Sequence, residues 1–314
     1  MQSEKVRTDR QALFGWAMYD FANSSFTTLI VTFIYATYFT QAIAPDEISG
    51  TALWSRAVAV SSLAVALLAP FLGALADQRG RRKRYLLFCT VAAVLCAAML
   101  YLPLPGQVMR ALVWFTLGNI AFELGCVFYN AFLPELAPPE KVGSVSGLAW
   151  GLGYAGWLAA MALAMLTLVN PEVPWFGFSR EAGENIRATN LLVAAWFGLF
   201  SLPLFLLVKE PRPQPATPAG VGGVLGRLAE TFRQIRHFRQ VFRFLLARLF
   251  YNDGLITIFA FGGIYAAGTF GFSFREIMLF GIVLNVMAGL GAFAFGFCDD
   301  RLGGRATVLI SLGG

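Results

Sequence analysis

Long apolar runs alternate with short polar breaks along almost the whole chain. Eight complete runs lie at approximately Leu13–Ile43, Leu53–Ala76, Tyr85–Leu102, Val108–Leu133, Val145–Val169, Leu191–Val208, Phe244–Ala267 and Ile277–Phe297, and a ninth opens at Ala306. Because about 20 mostly apolar residues carry a helix across roughly 30 Å of hydrocarbon, each run predicts a transmembrane helix. Polar positions inside the runs are patterned. Thr116, Asn119, Glu123, Cys126 and Asn130 recur at intervals of three and four, which puts them on one face of the fourth span and predicts a polar cavity beside it. Tyr19, Asp20, Asn23 and Thr27 make a similar stripe on the first span, and Asn252, Asp253 and Thr257 a shorter one on the seventh. Gly143, Gly147 and Gly151, extended by Gly153 and Gly156, form a row of small residues that admits a close neighbour, either as fixed packing or as a sliding surface. Trp54 and Trp175 sit near span ends, where they are expected to anchor at the membrane interface.

Composition agrees with the pattern. The 314 residues are 57% hydrophobic and only 13% charged, too few polar groups to cover a water-facing surface of that size. This excludes soluble enzymes and nucleic-acid binders, although the net charge of +6 would suit the latter. Most Lys and Arg collect on one side of the predicted spans, leaving Arg56, Arg110, Arg180, Arg187 and Arg275 on the other. That asymmetry predicts a cytoplasmic N-terminus. No arginine lies deep in a predicted span, and Arg248 at the start of the seventh is assigned to lipid headgroups. Cys89, Cys96, Cys126 and Cys298 have no ligand spacing and are expected to be small buried residues, while His237 falls in a basic stretch. No metal, cofactor or nucleotide-binding P-loop is predicted.

Pro211, Pro213, Pro215 and Pro218 mark a linker. The apolar spacing of Leu225, Leu228, Phe232, Ile235 and Phe242 then predicts a basic amphipathic helix on the inner leaflet or on the protein's own face. The chain thus divides into a six-helix half at 1–208, a linker at 209–242 and a partial second half at 243–314. The two sides share a motif. Gly73-Ala-Leu-Ala-Asp77-Gln-Arg-Gly80-Arg81 follows the second span, and Gly296-Phe-Cys-Asp-Asp300-Arg-Leu-Gly303-Gly-Arg305 follows the eighth. Duplicated six-span halves are the architecture of many secondary transporters.

The Gly73–Arg84 stretch resembles the signature loop of the major facilitator superfamily. Trp16-Ala-Met-Tyr-Asp-Phe-Ala-Asn-Ser-Ser, Tyr129-Asn-Ala-Phe-Leu-Pro-Glu-Leu-Ala, Val145-Ser-Gly and Gly151-Leu-Gly-Tyr resemble more narrowly that superfamily's vacuole effluxer branch. The resemblance implies an all-α membrane bundle of two pseudo-symmetric six-helix halves, the second ending here after about two and a half helices. It also implies transport of small polar solutes, with amino acid efflux the leading case, and a gating role for Gly73, Asp77, Gly80 and Arg81, repeated in Asp300, Gly303 and Arg305.

An ionisable group at membrane depth is costly unless paired, neutralised or wet. Asp20, Glu123 and Asp253 are therefore the candidate carriers of protons as a coupling ion, with Asn23, Asn119 and Asn130 beside them on the pathway. The reading is a secondary transporter working by alternating access in a prokaryotic inner membrane, and not an enzyme. Its alternatives are a membrane enzyme on lipid-linked substrates, using Asp299 and Asp300 for a metal, and a non-transporting membrane fragment.

Overall fold

The computed structural model describes residues 9–210, 226, 230, 233, 238–270 and 274–313, and describes the backbone alone at 77–79, 255–268, 274–279 and 281–282. All regular structure among the described residues is helical. Six helices there are long and apolar enough to cross a membrane. The proline-rich segment, His237 and most of the expected amphipathic helix lie outside the described residues. Two compact units result, one of Met1–Ala216 with Gly291–Gly314 and the other of Thr217–Leu290.

In the first unit the first span is α1 (Arg10–Ser25), a π-helical segment (Phe26–Thr32), α2 (Ile34–Tyr38) and a second π-helical segment (Phe39–Ile43). Its apolar run predicts one unbroken helix, and the structure corrects this. The backbone breaks at Phe33 (φ −109°, ψ −68°), just after a stretch rich in β-branched residues whose crowded side chains strain a regular helix. Trp54 occupies the break: its Nε1 donates to the Val31 carbonyl at 3.3 Å, and its ring stacks on Phe115 with centroids 3.8 Å apart. Trp54 is therefore a buried wedge and not an interfacial anchor. Trp175 is exposed, as expected of an anchor.

The remaining helices are α3 (Glu47–Arg79), α4 (Arg82–Met99), α5 (Val108–Asn130), a short α6 (Leu133–Leu136), α7 (Val142–Ala164) with a π-helical end (Met165–Val169), and α8 (Glu184–Leu207). Asp46 caps α3 by accepting the Ser49 N–H at 2.9 Å, and that bond holds its carboxyl below the usual carboxylate range. α1 packs against α7 and α8, α4 against α5 and α8, and α3 against α5. Aromatic rings fill the centre, among them Trp16, Tyr19, Phe26, Phe115, Phe128 and Phe197.

α9 (Arg239–Phe270) belongs to the second unit, α10 (Phe274–Leu302) runs into the first, and α11 (Gly304–Gly313) follows it. Most helices extend beyond their apolar runs, because polar residues at a span end can stay helical once outside hydrocarbon. The largest shift is α8, which starts at Glu184 where the apolar run begins at Leu191.

Candidate functional site

Asp20 lies half-buried in the middle of α1. Its Oδ1 accepts from Asn23 Nδ2 at 3.4 Å, and its backbone carbonyl accepts from Ser24 Oγ at 2.7 Å. Gly153 of α7 rests on this corner, where an added Cβ would stand 3.0 Å from Ser24 Oγ and 3.6 Å from Asp20 Cβ. Beside it Tyr129 stacks between Trp16 and Tyr19, with centroids 4.8 and 4.9 Å away, and Trp16 Nε1 donates to the Tyr129 carbonyl at 3.1 Å. The Tyr129 hydroxyl is buried and directed at the Asp20 carboxyl, its nearest polar neighbour. Half-buried Cys126 lies within reach of both Asp20 and Glu123. Asp20, Asn23, Ser24, Tyr129 and Cys126 thus gather where α1 meets α5 and α7, with Glu123 within electrostatic reach of Cys126.

The predicted stripes do not each survive as one face. On α5, Glu123 and Asn130 are exposed, whereas Asn119 is buried and donates to Ser61 Oγ of α3 at 2.8 Å. Asn119 thus makes a helix contact as well. On α1, Tyr19 turns away from Asp20 to share a 2.7 Å hydrogen bond with Thr90 of α4, while Thr27 is exposed. Asp253 is exposed on α9 in the other unit. The glycine row also divides. Gly153 and Gly156 face α1, whereas Gly143 and Gly147 face α10.

The two copies of the loop motif fold alike at their glycines. Gly80 (φ +58°) and Gly303 (φ +80°) both take the left-handed conformation that ends a helix and costs other residues strain. The Arg81 N–H closes the first turn on the Ala76 carbonyl at 3.1 Å, and the Gly303 N–H closes the second on the Asp299 carbonyl at 2.9 Å. Gly73 is half-buried on α3 with open space at its Cβ position; Asp77 lies outside the described side chains, and Arg305 is exposed on α11. Basic residues after the first copy tie helix ends together. Arg82 pairs with Glu135 and donates to the Ala131 carbonyl at the end of α5, while Lys83 Nζ donates to the Val208 carbonyl at the end of α8. These cations meet the negative ends of two helices.

The second copy reaches α7. Asp300 Oδ1 accepts the Ser144 N–H at 3.1 Å, in the place an N-cap side chain would take, and α7's own N-cap residue, Lys141, makes no such bond. Gly143 makes room, since a Cβ there would come within 2.6 Å of Asp299 Oδ2. One turn on, a Cβ at Gly147 would be 2.5 Å from the Ala292 carbonyl. A cleft of about 350 Å³ runs beside this crossing, lined by Leu133, Val142, Ser146, Trp150, Ala292 and Asp299.

The model of the family described as vacuole effluxer Atg22 like matches residues 42–312. The chain belongs to this family. An uncharacterized MFS-type transporter, YxiO of Bacillus subtilis, is 28% identical over 301 residues, covering 95% of this chain and 70% of that protein. Autophagy-related protein 22-2 of Aspergillus clavatus is 24% identical over 179 residues, covering 52% of this chain and 28% of its own length. A solved structure of the major facilitator proton:xylose symporter XylE, bound to 6-bromo-6-deoxy-D-glucose, superposes with a TM-score of 0.60 at 16% identity, over 93% of this chain and 68% of that one. The fold is therefore of the major facilitator type, and this Atg22-like chain is a multi-pass membrane transporter of that superfamily.

Arg187, expected near the outer end of a span, is the fourth residue of α8; its burial, at 7% exposure, and its bond through Nη1 to the Tyr101 carbonyl at 2.7 Å had no signal in the sequence. Tyr129 was visible only as part of a family motif, because a tyrosine in an apolar run carries no periodic signal of its own.

Proposed function

We propose that this protein moves small polar solutes, amino acids first among them, across a prokaryotic plasma membrane by alternating access coupled to protons. Its N-terminus is cytoplasmic, and the chain divides into a six-helix half at 1–208, a linker at 209–242 and a further half opening at 243. The placement of Asp20, Asn23 and Glu123 carries the reading. Two carboxyl groups at membrane depth flank one half-buried thiol, and neither forms an ion pair within 4 Å among the described residues. A carboxyl in such a place can take up a proton from one side and release it to the other as hydration alternates. Asn130 and Asp253 are assigned to the same pathway. Gly73, Asp77, Gly80 and Arg81, with Asp300, Gly303 and Arg305, form the gate: Asp300 at the start of α7 holds one state and releases it in the other.

The test is flux of radiolabelled amino acids into proteoliposomes holding the full-length protein under an imposed pH gradient. Gradient-driven flux in the parent, abolished in Asp20→Asn or Glu123→Gln while exchange without a gradient persists, is the expected result. Flux indifferent to the gradient, or coupling unchanged in both variants, would overturn it.

A further inference from the structure

Among the described residues, four buried side-chain atoms lack a geometric hydrogen-bond partner, and three belong to residues linked to one another through Arg187 and the end of α4. They are Arg187 Nε and Asn190 Oδ1, one turn apart on α8, and the hydroxyl of Tyr35 on α2. The place is the end of the bundle opposite the Gly73–Arg84 loop, where α4 finishes. Arg187 Nη1 donates to the Tyr101 carbonyl, and Asn190 Nδ2 donates to the Leu100 carbonyl at 3.4 Å, so both side chains hold the C-terminal end of α4. The Arg187 guanidinium also lies 5.3 Å from the Tyr101 ring centroid, acts electrostatically on Tyr35, and interacts with the Tyr38 hydroxyl both electrostatically and as a hydrogen-bond donor, though at a geometry that leaves Nε without a well-formed partner. Tyr38 is already satisfied through the Ala182 carbonyl at 2.6 Å. Tyr35 and Asn190 are wholly buried, so bulk solvent does not reach the unpaired atoms.

We infer that Arg187 Nε, Asn190 Oδ1 and the Tyr35 hydroxyl bind one internal water molecule that joins α2, the end of α4 and α8. Leaving a buried polar atom unpaired costs about 1–3 kcal/mol, and a buried water typically makes about three hydrogen bonds. The chemistry selects the occupant. Arg187 Nε can only donate, Asn190 Oδ1 can only accept, and the phenol can do either. A cation is repelled by Arg187. An anion would accept from Arg187 and Tyr35 but would face the Asn190 carbonyl oxygen, and Glu184 already stands within electrostatic reach of Arg187. Turning the Asn190 amide over would point its oxygen at the Leu100 carbonyl, so that escape is closed as well. Water both donates and accepts, and it satisfies all three atoms at once. The node has a mechanical consequence. It ties α2, the part of the first span beyond the break at Phe33, to two helices of the bundle.

The test uses the purified full chain and does not depend on transport. A density map fine enough to show ordered water should place a peak about 2.7–3.2 Å from all three atoms. In thermal unfolding, Tyr35→Phe and Asn190→Leu should each lower Tm, and the double variant should lose clearly less than the two losses added, because both act through one water. Tm of the parent should not change when chloride or bromide replaces gluconate at constant ionic strength. An empty node in the map, additive losses, or halide stabilisation that disappears in Tyr35→Phe would each overturn the inference. If Asn190→Leu fails to fold, the map and the halide series still decide.

Discussion

Asn119, expected on the solute pathway, also makes a hydrogen bond between helices, and the two roles can be separated. Its amide N–H is buried against Ser61 Oγ, which itself donates to the Val58 carbonyl at 2.8 Å. Hydrogen bonds between membrane helices average about 0.6 kcal/mol and reach roughly 1.7, because the separated helices find other partners in the bilayer. Ser61→Ala should therefore lower unfolding stability in detergent by about that much, since the Asn119 amide is left without its acceptor. Adding Asn119→Leu to Ser61→Ala should recover most of the loss, because removing both partners removes the unmet demand. Flux per folded molecule should stay at the parent level in the double variant. A flux defect there would return Asn119 to the solute pathway.

Helix by helix, the apolar runs located the long membrane helices among the described residues, because a helix satisfies its own backbone in hydrocarbon. What they could not reveal depended on neighbours. The break at Phe33 is filled by Trp54 from another helix, and the buried Arg187 near the start of α8 donates to the Tyr101 carbonyl just past α4. The polar stripes had the right period but no label for which helix each side would meet. Asn119 and Glu123 share a spacing, yet one meets α3 and the other does not. The glycine row was legible as close packing, but its division between α1 and α10 was not. This division makes separable predictions. A Cβ at Gly156 would stand 2.2 Å from the Phe21 carbonyl, a backbone atom that cannot turn aside. Gly156→Ala should push α7 off α1 and cost about 1–3 kcal/mol of stability or more. Gly73→Ala meets nothing within 4 Å and should be stable, gaining about 1 kcal/mol of helix propensity. Parallel unfolding curves of the two variants check both, and a stable Gly156→Ala would refute the packing assignment.

At the level of the whole molecule, the repeated loop motif ends a helix at a left-handed glycine in both places, while its side chains find different targets. The cations after the first copy fasten α4 to the ends of α5 and α8, and the carboxylate of the second copy caps α7. A cap borrowed from another helix contributes modestly to holding α7 against α10. The Asp300 charge at the helix start contributes about 0.3–1 kcal/mol through the macrodipole, and a hydrogen bond to a charged group contributes about 1.5–3 kcal/mol. The two contributions can be separated. Asp300→Asn keeps an oxygen to accept from Ser144 but loses the charge, so the equilibrium should shift toward separation of α7 from α10 by no more than about fivefold. Asp300→Ala loses both and should shift it roughly tenfold or more. Spin labels at Lys141 and Arg301, both exposed on the two sides of the contact, should report the change as a growing long-distance population in the order parent, Asn variant, Ala variant. If the distance distributions of both variants match the parent, the Asp300 contact is packing alone and the gate lies elsewhere. If Asn behaves like Ala, charge and not the hydrogen bond holds α7 against α10, and raising ionic strength should then separate them in the parent as well.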